Sequence, residues 1–493
     1  MTRQRLAFGV RRAATALLRP VRRWRHRHAD WVTTAPMPEA RPRDLEGYPA
    51  RLWAPTGEPR AFHLRSPHAE NALVVERYAG PGDPEGEATF EPVARAVFGP
   101  SMPDVPPSAS VSGCRWPETL TLDTEGWSQG TYRARIESPE ASAEAEEESA
   151  ITFLVGPAAP SARVAVFAPV TTWLAYNPHG GQSLYHNERG PETTHVAHAH
   201  RPNPALSWNA VGAMHAMRAE APVFDWLDGE AGADLYPDWM LEHPDRLASY
   251  SVIVLAYHCE YASDAMLDGL DQLLDGGASL LALGGNQLYW RVRWDDDHTA
   301  VECRKDGSPF PGGDRGGLWR HLGRPEDETL GVQFTPPGTG TYAPYRVEDA
   351  GHWLFDGLGV AEGDLFGFEG TTPLPICGDE TDAPTTLSGL TAEVVARGLN
   401  RPDAVDGDFT LWQPRNPAWD GSAGGTIAWT PLSEGRGVLA TGAIHSASGL
   451  GADRVFTGVV RNALGRMLAA PASVASPTNP AHGAPEVGPM VKQ

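Results

Sequence analysis

The pattern of apolar residues changes near residue 163, and this change constrains the fold more than any other feature. Before it, short β-rich runs are separated by Gly, Pro and Ser clusters, which is typical of a small antiparallel sandwich. After it come apolar strand-like runs at Arg163–Pro169, Ser251–Tyr257 and Ala278–Leu283, with a helical pattern at Ser263–Leu274. Apolar strands that alternate with helices predict a doubly wound parallel sheet.

A chain of 493 residues is too long for one ordinary core, so we expect several domains. Further helices are predicted near 211–228 and at Arg454–Leu468, and the residues after Pro471 are rich in Pro, Ala and Ser. The sequence therefore predicts four parts: a basic N-terminal arm (1–45), an Ig-like β-sandwich domain (46–157), an α/β domain (163–470) and a disordered tail (471–493).

Charge and cysteine content exclude several classes of function. The net charge of −22 argues against nucleic-acid binding, which needs a basic face. The four cysteines are widely spaced, so neither a disulfide framework nor a structural zinc site is expected. No apolar run is long enough to span a membrane, and arginines interrupt the apolar residues of the segment 3–27. We therefore expect a cytoplasmic protein, with the basic arm either loose or in contact with an anionic surface.

Polar clusters follow the predicted strands, at the edge where ligands bind in open parallel sheets. Ala175–Tyr185 is a polar loop with paired glycines, and Asn177 within it is a candidate substrate-binding residue. His258–Tyr261 follows the second strand, and Gly284–Trp290 follows the third. Because these two clusters end consecutive strands, we expect them to lie close together.

The second and third clusters contain residue types suited to acid–base or metal chemistry. His258 and Glu260 are candidate catalytic residues, since imidazole and carboxylate groups transfer protons and bind metals. Cys259 is either a nucleophile or a buried structural thiol, and it lacks the flanking small residues of a nucleophile elbow. Gly284 and Gly285 permit close approach of a ligand or of another part of the backbone. Asn286 can both donate and accept hydrogen bonds, so it is a candidate for orienting a substrate.

These motifs together resemble those of one known family. The resemblance is carried by Tyr176-Asn177 with Gly180–Tyr185, by His258–Tyr261 and by Gly284–Trp290, followed by Gly317–Arg320 and Gly367–Glu369. Over roughly residues 160–470 the chain resembles the C-terminal domain of the large (beta) subunit of N,N-dimethylformamidase. The resemblance implies a glutamine-amidotransferase-like (flavodoxin-like) α/β fold that lacks the catalytic cysteine of that superfamily.

The resemblance also implies an activity and a cofactor. Members of the family hydrolyse the C–N bond of a small amide with a mononuclear iron held by two tyrosines and a glutamate. Carried over by motif, the ligands expected here are Tyr261, Tyr289 and Glu369, with Glu260 and Tyr185 as alternatives. In that arrangement His258 serves as an acid or base. The family enzyme works with a small partner subunit, so a partner subunit or a homo-oligomer is compatible with this chain.

The chain also departs from the family pattern. Cys259 and Ala262 replace an expected Asp and Trp, and Gly370-Thr371 replaces a bulky aromatic residue and an acidic residue. These departures favour an alternative hypothesis, that the chain is a binding protein for a sugar or a protein ligand which keeps the fold without the chemistry. The chain also lacks a large lectin-like insertion, so dimethylformamide itself is not the expected substrate. A third hypothesis, hydrolysis through Cys259, ranks below both.

Overall fold

The computed structural model of the protein is a mixed α/β structure with several sheets and few helices. Residues 1–42 of the predicted arm, the predicted tail and Glu369 lie outside the described residues. The structure describes residues 43–80, 88–185, 194–206, 219–368, 370–371, 374–385, 390–400 and 424–470.

The first part of the described chain is almost entirely β structure. Its helices are α1 (Ala109–Ser112) and α2 (Ala143–Glu148). Its strands are β1 (Glu46–Pro49), β2 (Trp53–Pro55), β3 (Arg60–Arg65), β4 (Asn71–Tyr78), β5 (Phe90–Phe98), β6 (Leu120–Leu122), β7 (Gly130–Glu137) and β8 (Ile151–Gly156).

These strands form a three-stranded sheet, β1-β3-β6, and a five-stranded sheet, β2-β8-β7-β4-β5. Alternate residues of the strands point inward, as in the burial pattern of β3, where every second residue is buried. Phe62 and Leu64 of the first sheet share one apolar core with Leu73, Val75 and Tyr132 of the second. The two sheets thus bury their inner faces together.

The later part of the chain mixes strands and helices. The helices are α3 (Val170–Tyr176), α4 (Glu220–Ala231), α5 (Pro244–Leu247), α6 (Asp264–Asp275), α7 (Asp327–Leu330) and α8 (Arg454–Ala469). The strands are β9 (Val164–Ala168), β10 (Val196–His198), β11 (Ala233–Pro237), β12 (Val252–Tyr257), β13 (Tyr261–Ser263), β14 (Ser279–Gly284), β15 (Trp290–Trp294), β16 (Ala300–Cys303), β17 (Gln333–Thr335), β18 (Thr341–Ala343), β19 (Tyr345–Val347), β20 (Leu365–Phe366), β21 (Cys377–Asp379), β22 (Thr381–Ala383), β23 (Glu393–Gly398), β24 (Thr426–Ser433) and β25 (Arg436–Ala440).

A nine-stranded sheet dominates this part, in the order β11-β9-β12-β14-β25-β24-β23-β19-β20. The first five of these strands are parallel to one another. The remaining four add in antiparallel fashion. The predicted parallel sheet is therefore present only in the first half of the observed one, and the antiparallel half was not foreseen. Two apolar cores lie on the two faces of the sheet, as expected for strands such as β12 and β14 whose residues are all buried.

A smaller four-stranded sheet, β10-β16-β15-β13, extends beyond the C-terminal ends of β12 and β14. Its strand β13 begins four residues after the end of β12, and β15 begins six residues after the end of β14. Residues that follow the central parallel strands therefore run directly into this second sheet. The space between the two sheets is where the candidate site lies.

All four cysteines are free and buried. No helix among the described residues is long and apolar enough to cross a membrane.

Candidate functional site

The site begins where strand β12 ends. Its last residue, Tyr257, has a left-handed backbone (φ 64°), which is unusual for an aromatic residue and breaks the strand sharply. After this break, the side chains of His258 and Glu260 lie in the candidate site and are only a few per cent exposed. Cys259 lies on the other side, in the core, where its thiol contacts the backbone oxygens of Phe167 and Ala256.

The environment of Cys259 does not suit a nucleophile. Burial raises the pKa of its thiol well above the usual value, and reactive cysteines need a lowered pKa. The structure therefore supports the reading of Cys259 as a buried structural thiol.

Helix α3 contributes Thr172, which holds the backbone around Cys259, and Tyr176, whose hydroxyl contacts Glu260. The Asp238 carboxylate accepts hydrogen bonds from Thr171 N at the start of this short helix, at 3.1 and 3.2 Å. Thr172 Oγ donates to His258 O at 2.8 Å and accepts from Glu260 N at 3.2 Å. Thr172 thus holds the backbone on both sides of Cys259 and fixes where His258 and Glu260 point.

The Glu260 carboxylate accepts hydrogen bonds from two tyrosine hydroxyls and one indole. The hydroxyl of Tyr176, at the end of α3, donates to Glu260 Oε2 at 3.0 Å. The hydroxyl of Tyr185 donates to Glu260 Oε1, and the indole of Trp290 donates to the same oxygen at 3.0 Å. We refer to Tyr176, Tyr185 and Glu260 as the Tyr–Glu cluster. The Tyr261 hydroxyl reaches this cluster indirectly, through a 2.8 Å hydrogen bond to the Tyr185 hydroxyl.

Two cations accompany the Tyr–Glu cluster. His258 Nε2 lies 3.3 Å from Glu260 Oε2, and its Nδ1 lies 3.0 Å from Gly285 O. Lys305 follows strand β16, and its ammonium nitrogen lies 3.0 Å from the ring centroid of Tyr185. This nitrogen is buried and has no hydrogen-bond partner within the described part of the chain. A buried cation without hydrogen bonds is costly, so an acceptor is needed at this point.

The pKa values of the charged groups follow from these contacts. Burial opposes ionisation of Glu260, but the hydrogen bond from His258 and the charge of Lys305 lower its pKa to about 2. Burial opposes protonation of His258, but Glu260 raises its pKa to about 9. Burial lowers the pKa of Lys305 to about 8 against the pull of Glu260. At neutral pH the centre therefore holds one carboxylate and two cations.

A second acidic group completes the site. Glu380, between β21 and β22, accepts a 2.7 Å hydrogen bond from Asn286 Nδ2. Burial, with the charges of Glu260 and Asp379, raises its pKa to about 8, although the charge of His258 opposes this shift. Glu260 and Glu380 thus have pKa values that differ widely within one site. Such a separation is how active sites keep one carboxylate charged and another protonated.

The structure brings together only some of the residues named from the sequence. His258, Glu260, Tyr261 and Asn286 lie in one site, as expected for clusters at the ends of adjacent strands. The ring of Tyr289 instead packs against Phe334, with ring centroids 5.6 Å apart, and beneath the guanidinium of Arg320.

Of the four remaining predicted site residues, Glu369 lies outside the described residues and the other three have structural contacts. Asn177 is buried, and its side chain accepts from His179 N in its own loop and donates to Pro202 O, 25 residues further along the chain. A Cβ on Gly284 would lie 1.5 Å from Tyr257 O, and one on Gly285 would lie 2.7 Å from Ile444 N. The two glycines therefore allow close packing of the backbone at the end of β14.

Sequence reasoning missed Lys305 and Glu380 as members of the site and gave Tyr176 no role. A signal for Lys305 does exist. The chain has only two lysines, Lys305 and Lys492, among 40 basic residues. Lysine can be held partly neutral by burial whereas arginine cannot, so a rare lysine next to a strand marks a place where this property is used. We find no comparable signal for Glu380.

Whether the site suits a metal depends on its tyrosine hydroxyls, which are possible ligands. Among the described residues no group of three or more His, Cys, Asp or Glu side chains is placed to hold an ion. The Tyr–Glu cluster nevertheless offers two phenol oxygens and one carboxylate, a hard anionic set that suits a ferric ion. Burial, together with the charge of Glu260, raises the pKa of Tyr176 and of Tyr185 well above the usual value. Both phenols therefore stay protonated unless a cation of high charge displaces their protons.

Comparison with known proteins gives a family match over most of the chain. No curated protein sequence matches the chain significantly. Residues 83–457 match the family described as N,N-dimethylformamidase beta subunit-like, C-terminal, a match that covers well over half of the chain and every described residue of the site. The chain is a member of the N,N-dimethylformamidase beta subunit-like family.

Proposed function

We propose that the protein is an amidohydrolase that cleaves the C–N bond of a small amide with water. One observation carries the proposal: two tyrosine hydroxyls converge on the Glu260 carboxylate, with a histidine, a lysine and a protonated glutamate around them. Hydrolysis converts the amide and water into a carboxylic acid and an amine. It needs stabilisation of negative charge on the carbonyl oxygen and a proton for the departing nitrogen.

The residues of the site fit a single iron ion, with Tyr176, Tyr185 and Glu260 as the ligands that the geometry favours. They supply the two tyrosines and one glutamate that the family uses, and they already touch one another. Tyr261 is one hydrogen bond further away, and Tyr289 is packed elsewhere. A ferric ion held there would supply Lewis-acid polarisation of the amide carbonyl.

The side chains around the cluster have distinct roles in this proposal. Lys305 directs into the site an ammonium group that has no hydrogen-bond partner among the described residues, and donates to the carbonyl oxygen as negative charge develops there. Glu380 is protonated at neutral pH and gives its proton to the nitrogen as the C–N bond breaks; its carboxylate then takes up the proton that the attacking water loses, which restores the starting state. His258 remains a cation beside Glu260 and keeps this carboxylate ionised.

Iron binding and visible absorption test the proposal directly. Purified protein reconstituted with iron should hold close to one ion per chain and show a tyrosinate-to-iron absorption band. Tyr176→Phe and Tyr185→Phe should each weaken or abolish the band. Tyr78→Phe should leave it unchanged, because Tyr78 is buried in strand β4, outside the site, and its hydroxyl has no hydrogen-bond partner in the part of the chain that the structure describes.

Three outcomes would count against parts of the proposal. Loss of the band in Tyr261→Phe and Tyr289→Phe alone would return the ligand role to those two residues. Failure to bind iron at all would favour a binding protein that keeps the fold. Iron binding without turnover of any member of a panel of small amides would rule out the proposed activity.

Finer features of the architecture belong to the same proposal. The five parallel strands with helices α3, α4, α6 and α8 support a glutamine-amidotransferase-like domain at 163–470. The two sheets with a shared core support a β-sandwich domain at 46–157. Free, buried cysteines are consistent with a cytoplasmic location.

A further inference from the structure

We propose that Glu46 and Arg201 are positioning residues for the candidate site, because they hold the loop 177–184 that carries Tyr185 to Glu260. Glu46 lies in strand β1 of the β-rich first part of the chain, and Arg201 lies just after strand β10. The inference rests on the proposed function, in which Tyr185 is a ligand. It adds that the first part of the chain takes part in forming the ligand set.

The loop 177–184 connects the two tyrosines of the Tyr–Glu cluster. Tyr176 is the last residue of helix α3, and Tyr185 comes directly after the loop. Leu184 N donates to Ala175 O at 3.0 Å, so the loop closes back on the helix, and the ring centroids of the two tyrosines lie 4.4 Å apart. The helix fixes the backbone of Tyr176, whereas the backbone of Tyr185 is placed by the loop.

Arg201 joins this loop to strand β10. Its side chain is 1% exposed, and its Nη1 donates to His179 O and, at 3.3 Å, to Gln182 O. Its Nε donates to His198 O, the last residue of β10, at 3.0 Å. Burial lowers the pKa of Arg201 only to about 9, so the guanidinium is a cation at neutral pH and these hydrogen bonds are charge-assisted. One guanidinium thus ties together two loop carbonyls that are three residues apart.

Glu46 holds the same loop from the first part of the chain. Its Oε2 lies 3.0 Å from His179 Nε2, and the side chains of His179 and Glu46 are 3% and 4% exposed. Its Oε1 lies 3.6 Å from Nη1 of Arg65, the residue directly opposite in strand β3. A buried carboxylate between an imidazole and a guanidinium has little freedom to move. His179 is therefore held through its ring by Glu46 and through its backbone oxygen by Arg201.

The first part of the chain contacts the loop at a second point. Ser110 Oγ, in helix α1, donates to Gln182 Oε1 at 3.3 Å. A Cβ on Gly180 would lie 3.0 Å from Ser110 N, so the two backbones approach closely here. The loop is therefore enclosed between the two parts of the chain.

Loss of the Glu46 carboxylate should loosen the loop. His179 Nε2 would be buried without its acceptor, and the loop can relieve this cost by opening toward water. Loss of a hydrogen bond to a charged group corresponds to a shift of roughly 10- to 100-fold in the opening equilibrium. Each opening moves Tyr185 away from Glu260. Release of a bound metal ion requires a ligand to detach, so it should accelerate together with loop opening.

Hydrogen–deuterium exchange of the metal-free, full-length protein tests the inference without iron. In Glu46→Ala, peptides that cover 177–184 should exchange about tenfold faster than in the wild type. Glu46→Gln should restore most of the protection, because its side-chain oxygen can still accept from His179. The control Glu76→Ala removes an ion pair to Arg133 (2.8 Å) between strands β4 and β7 and should leave the loop unchanged.

Release of iron to a chelator, followed by the decay of the tyrosinate-to-iron band, gives a second readout. It should be about tenfold faster in Glu46→Ala and close to the wild-type rate in Glu46→Gln and Glu76→Ala. Arg201→Lys keeps the charge but loses the planar fork of donors, so it should show both changes as well. This variant tests the inference independently if Glu46→Ala does not fold.

The outcomes separate this inference from the proposed function. Unchanged loop exchange in Glu46→Ala and Arg201→Lys overturns the inference, even if the wild type binds iron and hydrolyses amides. Equal acceleration in Glu76→Ala overturns it too, because the effect would then be a general loss of stability. Faster loop exchange with unchanged iron release also overturns it, since the loop would not determine where Tyr185 lies. Faster loop exchange in a protein that binds no iron supports the inference and overturns the proposed function.

Discussion

Replacing Glu380 by glutamine should make the stability of the metal-free protein less dependent on pH. In the folded protein burial raises the pKa of Glu380 from 4.5 to about 8. Below pH 4.5 the carboxyl is protonated in both the folded and the unfolded state and has no effect. Above pH 4.5 the unfolded chain releases the proton while the folded protein keeps it. The folded state therefore loses stability until it ionises as well, near pH 8.

The size of this effect follows from the two pKa values. They differ by about 3.5, and each pKa unit corresponds to about 1.4 kcal/mol, which sets an upper bound near 5 kcal/mol. Local relaxation and entry of water reduce such values, so we expect a loss of about 2 kcal/mol in the wild type between pH 5 and pH 9. Glutamine cannot ionise, and its side-chain oxygen can still accept the hydrogen bond from Asn286.

Urea unfolding followed by tryptophan fluorescence at pH 5, 6, 7, 8 and 9 measures this effect. The curve of unfolding free energy against pH should be flatter for Glu380→Gln than for the wild type. The control Glu362→Gln, at an exposed position, should follow the wild-type curve. Parallel curves for the wild type and Glu380→Gln would refute the argument that Glu380 is held protonated by the fold.

Three further predictions concern the same protein. In the metal-free form, Glu260→Gln should lower the pKa of His258 from about 9 to below 6.5, as measured by NMR of labelled histidine. In the wild type the raised pKa of His258 contributes stability that is lost as pH rises from 6.5 through 9, and this contribution should be absent in the variant. Phe456→Ala, in the core, should reduce the unfolding free energy by about 3–5 kcal/mol in urea, whereas Val97→Ala, at a position 76% exposed, should change it by less than about 0.5 kcal/mol. Gly284→Ala should yield little folded protein by circular dichroism, because its Cβ would overlap a backbone oxygen; a normal thermal transition would contradict this.

The parallel half of the large sheet was predictable because its strands are buried on both faces. The apolar runs at Ser251–Tyr257 and Ala278–Leu283 agree with β12 and β14 to within one residue at each end. Helix α6 was likewise foreseen, and Ser263, where the predicted helix begins, is the residue that caps it. Of the helix predicted at 211–228, residues 211–218 lie outside the described residues, and the remainder overlaps α4.

The antiparallel half was not predictable from the same patterns. Strands β19 and β20 have only three and two residues, too few to show any periodicity. Strand β19 pairs with β23, which follows much later in the chain, and β20 pairs with β19. Strand order in this half is therefore a product of tertiary packing and leaves no local signal.

The residues of the candidate site were likewise only partly predictable from the sequence. His258, Glu260 and Asn286 were found because each directly follows a recognisable strand. Tyr261 was expected as a metal ligand from its motif and Tyr176 had no role, and only the fold brings the hydroxyl of Tyr176 onto Glu260. Glu380 comes from a loop between two short strands, nearly one hundred residues after Asn286. No spacing rule connects residues so far apart.

The order of strands in the large sheet has a consequence for synthesis of the protein. Strand β14 lies between β12 and β25, and β25 is formed by residues 436–440. A ribosome must therefore release most of the chain before the edge of β14 is covered. Until then a long apolar strand is open to pairing with other nascent chains, so this protein should be prone to aggregation when translation stops early. Its dependence on chaperones during expression should fall once strands β24 and β25 and helix α8 have emerged.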